Sequence, residues 1–315
     1  MMSTFHSTIY IFFNSNHRYH GGNAPRCKPN ATSVQYFTDL SNSSGAGVAD
    51  GVQHAPASVN KTYDSLLFTQ EAVRQIREHG DDPHRGLYLY LAFQNVHSTA
   101  QNAATISGRQ PLHAPCSVVD ELYGHTPGDT YKVMGGMLTM LDYGVGNVTE
   151  ALEAAGRPWV MLFVSDNGGP LPHSTNSPLR GGKHTLWDGG LRVQSFVSGP
   201  LVPPHRRNTT WPGLAHSSDW WPTILDGVLA LNLSSADVDA SGPRAPDGHN
   251  LWPSLLSGAA SPREEVIHQV ANNYTAMMEL KDFPAMRSGR YKIVLGDPGD
   301  ARCVCVCVCV VCVCE

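Results

Sequence analysis

The sequence predicts an α/β fold in which a mostly parallel sheet is sandwiched between helices. Residues 86–97 form an apolar run of strand length that ends in Asn95 and His97, and residues 158–165 form a second apolar run. Both are typical of strands buried on both faces. Segments with helical spacing lie between and after these runs, and alternating strands and helices indicate parallel strands with helices on both faces of the sheet. At 315 residues, 41% of them hydrophobic, the chain is long enough for a large core.

The first predicted helix covers residues 68–80. Thr69 is the expected N-cap, and Gly80 is the expected stop signal. One face of this helix is apolar, which predicts that it packs against the sheet. The residues of that face are Ala72, Val73 and Ile76.

A second helix, a third strand and a last helix complete the predicted domain. The second helix ends at Gly156, the third strand covers residues 191–199, and the last helix covers 216–231 with Ser217 or Ser218 as its cap. The core residues of the second helix, which recur at helical spacing, are Met137, Met140, Leu141, Val145, Val148 and Leu152.

The charge and the glycosylation sequons constrain the binding partners and the cellular location of the protein. The net charge is −5 and the basic residues are scattered, which excludes an electrostatic surface for nucleic acid or an anionic membrane. No apolar run has the roughly 20 residues of a membrane span. Seven Asn-x-Ser/Thr sequons favour a secretory glycoprotein, although no signal peptide is evident. They begin at Asn30, Asn42, Asn60, Asn147, Asn208, Asn232 and Asn273.

Polar side chains follow two of the predicted strands at the point where each strand ends. His97 ends the first strand, whereas Asp166 and Asn167 follow the second and precede two glycines. Carboxylate and amide oxygens suit Ca²⁺ or Mg²⁺, and glycines let the backbone turn around an ion. The alternative for this Asp-Asn-Gly-Gly segment is a simple turn.

The next loop, residues 178–192, combines cationic side chains with four glycines. Arg180, Lys183 and Arg192 offer donors to an anion, and the glycines permit close backbone approach. Together with a divalent ion, this loop predicts a site for a tetrahedral oxyanion such as sulfate or phosphate. A solvated glycine-rich surface loop is the alternative.

Five segments in fixed order make the chain resemble the sulfatase family, most closely the arylsulfatase B group. They read FVSDNGG, PLRGGKHTLWDGGLR, HSSDWWPTIL, DGHNLWPSLLSG and AMRSGRYKIVLGDPG, and the likeness extends over residues 63–299. The resemblance implies the α/β sandwich of the alkaline phosphatase superfamily. It also implies an enzyme that hydrolyses sulfate esters at a calcium site.

The resemblance also implies roles for individual residues. Asp166 and Asn167 match calcium ligands of the family. Lys183 matches the lysine that contacts the sulfate and its leaving oxygen, and we expect Arg180 to bind substrate as well. His97 resembles the histidine that protonates the leaving group. An insertion of about sixteen residues separates His97 from His113, which is the alternative for that role.

The family's nucleophile motif, Cys-x-Pro-Ser-Arg, does not occur in the chain. In the family this cysteine becomes formylglycine, whereas neither Cys27 nor Cys116 lies in such a motif. A structural disulfide or a free thiol is the better interpretation for Cys27. The Asp-Asp pair that completes the family's calcium site is also absent. We therefore expect the C-terminal part of a sulfatase, truncated on its N-terminal side.

The resemblance divides the chain into four predicted regions. Residues 1–62 are irregular, 63–260 carry the α/β domain, 261–299 begin a smaller C-terminal subdomain, and 300–315 are a Cys-Val tail. Alternating Cys and Val is what a translated TG repeat encodes, so we assign the tail no function. Soft-metal binding by its thiolates is the alternative.

The functional hypothesis is a sulfuric ester hydrolase of the arylsulfatase B type. Its expected cofactor is Ca²⁺, its expected substrate is a sulfate ester, with glycosaminoglycans as one candidate class, and its expected location is lysosomal or extracellular. The alternative is a secreted glycoprotein, derived from a sulfatase, that binds sulfated glycans without cleaving them.

Overall fold

The computed structural model describes most of the chain between residues 63 and 295 and a few short strands outside it. The described residues are 8–11, 41–43, 52–54, 63–79, 86–97, 112, 114–171, 174–231, 247–270, 284–295 and 311–314. The chain divides into two compact units, Met1–Arg157 and Pro158–Glu315. The predicted domain boundaries at 62, 260 and 299 stay predictions.

The described residues of the first unit form four strands and three helices. Strand β1 pairs with β4 in parallel, and β2 pairs with β3 antiparallel. Helix α3 packs against both α1 and α2. The elements are β1 (Thr8–Ile11), β2 (Ser41–Ser43), β3 (Val52–His54), α1 (Asp64–His79), β4 (Tyr88–Leu91), α2 (Cys116–Tyr123) and α3 (Asp129–Ala154).

Helix α1 begins five residues before the predicted cap. It starts at Asp64, whose Oδ1 accepts a hydrogen bond from the Ser65 amide at 2.6 Å. Thr69 was predicted to be the N-cap, and this is wrong. It is buried inside the helix, and its hydroxyl donates to the Ser65 carbonyl at 2.7 Å. The aspartate supplies the acceptor that the first turn needs.

Helix α3 confirms the second predicted helix. It ends at Ala154, and Gly156 follows with a φ of 66°, a left-handed conformation that glycine adopts without strain. Met137, Met140 and Val148 are buried, as their spacing predicted. The core between α2 and α3 is formed by Leu112, Ala114, Val119, Val133 and Met137.

Strand β4 is shorter and more exposed than predicted. It covers four residues of the apolar run 86–97, and Tyr90 keeps 51% of its surface exposed. Within the described residues, its only strand partner is β1. None of the four residues of β4 is fully buried, so the strand does not show the burial on both faces that its composition predicts.

In the part of the second unit that the structure describes, there are six strands and three short α-helices. Strand β5 pairs with β6, and a separate antiparallel sheet has the order β10-β9-β8-β7. Cys-Val residues of the tail form its edge strand β10. The elements are β5 (Met161–Val164), α4 (Asp188–Leu191), β6 (Ser195–Ser198), α5 (Trp220–Pro222), α6 (Trp252–Ser257), β7 (Glu265–Gln269), β8 (Ala285–Ser288), β9 (Tyr291–Leu295) and β10 (Val311–Cys314).

The pairing of β5 with β6 is antiparallel, whereas a mostly parallel sheet was predicted. Phe163 and Phe196 stack across the pair with ring centroids 5.0 Å apart. A parallel crossover needs a dozen or more residues, usually a helix that returns the chain to the starting edge. Among the described residues of the connection between these strands, the longest α-helix is the four-residue α4, and no crossover helix is found there.

The predicted helix at 216–231 is present in a less regular form. A 3₁₀ turn (Ser217–Asp219) leads into α5 and then into a π-helix (Thr223–Val228). The cap is neither Ser217 nor Ser218. The imidazole of His216 accepts from the Ser218 amide, and the Asp219 carboxylate accepts from the His216 amide at 2.7 Å. A ring nitrogen thus replaces the expected serine oxygen.

Candidate functional site

Two glycine-rich loops of the second unit interlock through backbone hydrogen bonds. The first follows β5 (residues 165–169), and the second covers residues 180–190. Two hydrogen bonds join the loops: the Gly168 amide donates to the Gly190 carbonyl at 2.9 Å, and the Lys183 amide donates to the Gly169 carbonyl at 3.1 Å. A third closes the second loop, where the Gly189 amide donates to the Arg180 carbonyl at 2.7 Å. The predicted metal and anion residues therefore lie on one connected scaffold.

The glycines are required because the two backbones touch. A Cβ added at Gly168 would lie 1.7 Å from the Gly189 carbonyl oxygen, and one added at Gly182 would lie 2.5 Å from that of Gly169. No side chain fits at such distances without displacing a backbone. The loops are therefore held in one arrangement by close packing.

Asn176 braces both loops and was not singled out by the sequence. Its Oδ1 accepts from the Gly169 amide at 2.8 Å, and its Nδ2 donates to the carbonyls of Gly169 and Gly181 at 2.9 and 3.1 Å. One asparagine among several polar loop residues carries no signal in a single sequence. Its importance comes from the fold, which places three backbone groups around it.

Asp166 and Asn167 present oxygen atoms at the end of β5. Asp166 is exposed, and its Oδ1 accepts from the Asn167 amide at 2.8 Å. The Asn167 Nδ2 donates to the Gly168 carbonyl at 2.9 Å, which leaves the Oδ1 of this amide as an acceptor. No ion pair to Asp166 is found among the described residues.

This oxygen pair fits a hard cation in ligand type. Ca²⁺ takes six to eight oxygens, of which Asp166 and Asn167 supply about two. In the described part of the chain, no three His, Cys, Asp or Glu side chains converge as a metal centre. The calcium assignment stays a prediction.

The second loop presents two cations in different settings. The Arg180 guanidinium lies 3.7 Å from the centroid of the buried Trp187 ring and makes a cation–π contact with it. Lys183 makes only its backbone contact to the first loop, and its Nζ has no partner among the described residues. An unpaired lysine on a braced loop can bind an anion.

Asp188 joins the second loop to the antiparallel sheet and was missed in the sequence. Its carboxylate bonds the Arg287 guanidinium at 2.6 Å and the Lys292 Nζ at 2.8 Å. Burial raises the pKa of Asp188, but the hydrogen bonds and charges of the two cations outweigh it and hold the pKa below its ordinary value. Asp188 is therefore an anchor of the loop.

His268 on β7 is perturbed by the same cations. Burial and then the positive charge of Lys292 lower the pKa of His268 to about 4, so the imidazole is neutral near pH 7. Its Nε2 is buried without a described hydrogen-bond partner. A histidine of this kind is a core residue of the sheet.

His97 lies in the first unit, just beyond strand β4. It is exposed, and its amide donates to the Gln94 carbonyl at 2.9 Å. His113 lies outside the described residues, so the choice between the two histidines stays open. The predicted placement of His97 beside Asp166 stays a prediction.

Asn95 and Cys116, both in the first unit, have structural roles. Asn95 accepts from the hydroxyls of Tyr63 and Ser65 and donates to the Met137 carbonyl at 2.7 Å, so it ties the end of β4 to both long helices. Cys116 is disulfide-bonded, which agrees with its exclusion as the nucleophile. Cys27 lies outside the described residues.

Comparison with known proteins decides the family. A model of the sulfatase family matches residues 8–228. The chain belongs to the sulfatase family. Mouse arylsulfatase J is 30% identical over 254 residues, which are 76% of this chain and 38% of that protein. Mouse steryl-sulfatase is 28% identical over 60% of this chain and 28% of its own length. This sulfatase chain therefore spans well under half the length of these relatives.

Solved structures show the fold of the sulfatase chain. Ps i-CgsB, solved alone and with k-i-k-neocarrahexaose, gives TM-scores of 0.57 and 0.56 at 23% identity, over 77% of this chain and 48% of that one. A protein described under metabolism of multiple glycosaminoglycans by Bacteroides thetaiotaomicron gives 0.51 at 20% identity, over 73% and 42%. The predicted sulfatase-like α/β class is supported, and the described helices are too short or too polar to span a membrane.

Proposed function

We propose that this chain is part of a calcium-dependent sulfuric ester hydrolase of the arylsulfatase B type. One observation carries the proposal. Asp166 and Lys183 are opposite charges without ion-pair partners among the described residues, and they lie on loops that backbone hydrogen bonds hold together. A carboxylate for a cation and an ammonium for an anion are what a sulfate ester site requires.

Each residue has a distinct part in this proposal. Asp166 and Asn167 would hold Ca²⁺, whose charge offsets that of the bound sulfate. Lys183 donates to the sulfate and to the leaving oxygen, and the planar guanidinium of Arg180, in contact with Trp187, offers a second set of donors. His97, or His113 in its place, gives a proton to the leaving oxygen. In the family, formylglycine supplies the nucleophile that attacks sulfur.

The proposed substrates are sulfate esters of carbohydrates, with glycosaminoglycans as the candidate class. Two of the structural neighbours support this proposal: one is a complex with k-i-k-neocarrahexaose, and the other is described under metabolism of multiple glycosaminoglycans. We place the enzyme in the secretory pathway, in the lysosome or outside the cell, because seven sequons occur in the chain.

The test uses the full-length protein encoded by the complete transcript. Lys183→Ala should lower kcat/KM for an aryl sulfate by about 10²–10³, since one donor to developing charge is worth that much. Lys183→Arg should recover part of the rate. Lys132→Ala, on α3, is the matched control and should leave the rate unchanged. Equal rates for Lys183→Ala and the wild type would refute the site.

Binding without hydrolysis is the second candidate, since the sequence contains no Cys-x-Pro-Ser-Arg motif. It predicts that the complete transcript also lacks this motif and that the protein binds sulfated glycans with no turnover. Lys183→Ala would then weaken glycan binding, while sulfate release would be zero for every variant. The two functions are thus separated by one assay of sulfate release.

A further inference from the structure

The structure describes the side chains of two complete sequons, which begin at Asn147 and Asn208. The surroundings of these two sequons differ. Asn208 follows the 3₁₀ turn Pro204–Arg206 in the connection between β6 and residue 216. Both Asn208 and Thr210, the residues that define this sequon, are exposed. Neither side chain has a hydrogen-bond partner among the described residues. The sequon therefore offers both of its reactive groups to solvent.

Asn208 lies in a tight turn at the surface. Asn208 has a φ of 56°, the left-handed region in which asparagine is enriched. The turn is fixed on both sides: the Thr209 hydroxyl donates to the Arg206 carbonyl at 2.8 Å, and the Arg206 Nε donates to the Leu255 carbonyl at 3.1 Å. A bulky group at Asn208 would project from a rigid turn.

Asn147 occupies the opposite kind of environment. It lies inside α3, where its Nδ2 donates to the Tyr143 carbonyl at 2.7 Å. The hydroxyl of its sequon partner, Thr149, donates to the Val145 carbonyl at 2.9 Å. Both groups that a glycosyltransferase must engage are thus bonded to the preceding turn of the helix.

We propose that Asn208 carries an N-linked glycan and that Asn147 does not. The inference rests on the secretory location in the proposed function. The Asn208 Nδ2 bonds to the anomeric carbon of an oligosaccharide carried on a polyprenyl pyrophosphate. The bond from that carbon to the pyrophosphate oxygen breaks, the pyrophosphate leaves with the electron pair, and the amide loses one proton. No oxidation or reduction is involved.

The test is glycan occupancy of the full chain, expressed in eukaryotic cells behind a cleavable secretory signal. Asn208→Gln and Thr210→Ala should each remove one glycan, so that each variant migrates faster than the wild type on a denaturing gel. After treatment with an N-glycosidase, all variants should migrate together. Thr210→Ser keeps the sequon and should keep the glycan. Thr209→Ala removes only the hydrogen bond from the Thr209 hydroxyl to the Arg206 carbonyl, and Asn147→Gln removes the sequon in α3. Both variants should carry as many glycans as the wild type.

Occupancy is measured in lysate as well as medium, so that a variant that fails to fold is still scored. If Asn208→Gln runs with the wild type, or if Asn147→Gln runs faster, the inference is wrong. Neither outcome bears on sulfate release, because neither asparagine belongs to the proposed sulfate ester site. Failure here is therefore distinguishable from failure of the proposed sulfatase activity.

Discussion

Two carboxylates of the second unit, Asp219 and Asp166, have opposite surroundings. Asp219 is completely buried and accepts four hydrogen bonds, from the His216 and His249 amides and twice from the Arg263 guanidinium. Asp166 is exposed, and its carboxylate accepts one hydrogen bond from the described residues, that of the neighbouring amide. A carboxylate with every acceptor satisfied stabilises the fold, whereas one with open acceptors is available to a ligand.

Asp219→Asn should cause the largest loss of stability. The change removes the negative charge that compensates the Arg263 guanidinium, whose side chain is 11% exposed. It also replaces one carboxylate oxygen by an NH₂ group, which is a donor and faces the N–H donors that the oxygen accepted from. Breaking a buried pair in this way costs about 3–5 kcal/mol. The measurement is the free energy of unfolding in urea, with Asp142→Asn on the exposed face of α3 as the control, where we expect a change within about 0.5 kcal/mol.

The same pair determines part of the acid sensitivity. Burial raises the pKa of Asp219, but the hydrogen bonds and charge of Arg263 and the two backbone amides outweigh it, so the pKa is below its ordinary value. Its stabilisation is therefore complete above about pH 3.9 and is lost as the pH falls through the folded pKa. Asp219→Asn should lack this acid-dependent loss. An unchanged acid profile would contradict the role of the pair.

Gly168→Ala should have an intermediate effect, and Gly146→Ala is its matched control. The added methyl at Gly168 meets a carbonyl oxygen at 1.7 Å, and forcing the loops apart costs about 1–3 kcal/mol. At Gly146, in α3, nothing lies within 4 Å, and alanine should raise the free energy of unfolding by about 0.5–1 kcal/mol. Effects of the same sign at both positions would disprove the interlocked loops.

The sequence predicted the parts of the fold that depend on local pattern. The apolar spacing of α3 and its stop at Gly156 were visible, because a helix of this length repeats its signal many times. The motifs placed Asp166 and Lys183 on adjacent loops. The antiparallel pairing of β5 with β6 was not predictable, since an apolar run does not specify the direction of its neighbour.

The residues that brace the site were missed for a different reason. Asn176 and Asp188 act through partners that are distant in sequence or are backbone groups. Asp188 bonds cations from β8 and β9, about a hundred residues further along the chain. Such pairs arise only when the sheet and the loop meet. His216 was missed as a cap because a ring nitrogen seldom replaces a serine oxygen.

Asp166→Asn should have the smallest effect on stability, within about 0.5 kcal/mol, because the new amide oxygen can still accept from the Asn167 amide. Its effect should appear only with the cation. In the full-length protein, added Ca²⁺ should raise the wild-type melting temperature by mass action, and Asp166→Asn should abolish that rise. A loss of more than 1 kcal/mol without calcium would make Asp166 a structural carboxylate like Asp219 and remove the contrast between them. An unchanged calcium response would place the cation elsewhere, because a ligand can stabilise the fold only through groups that it contacts in the folded state.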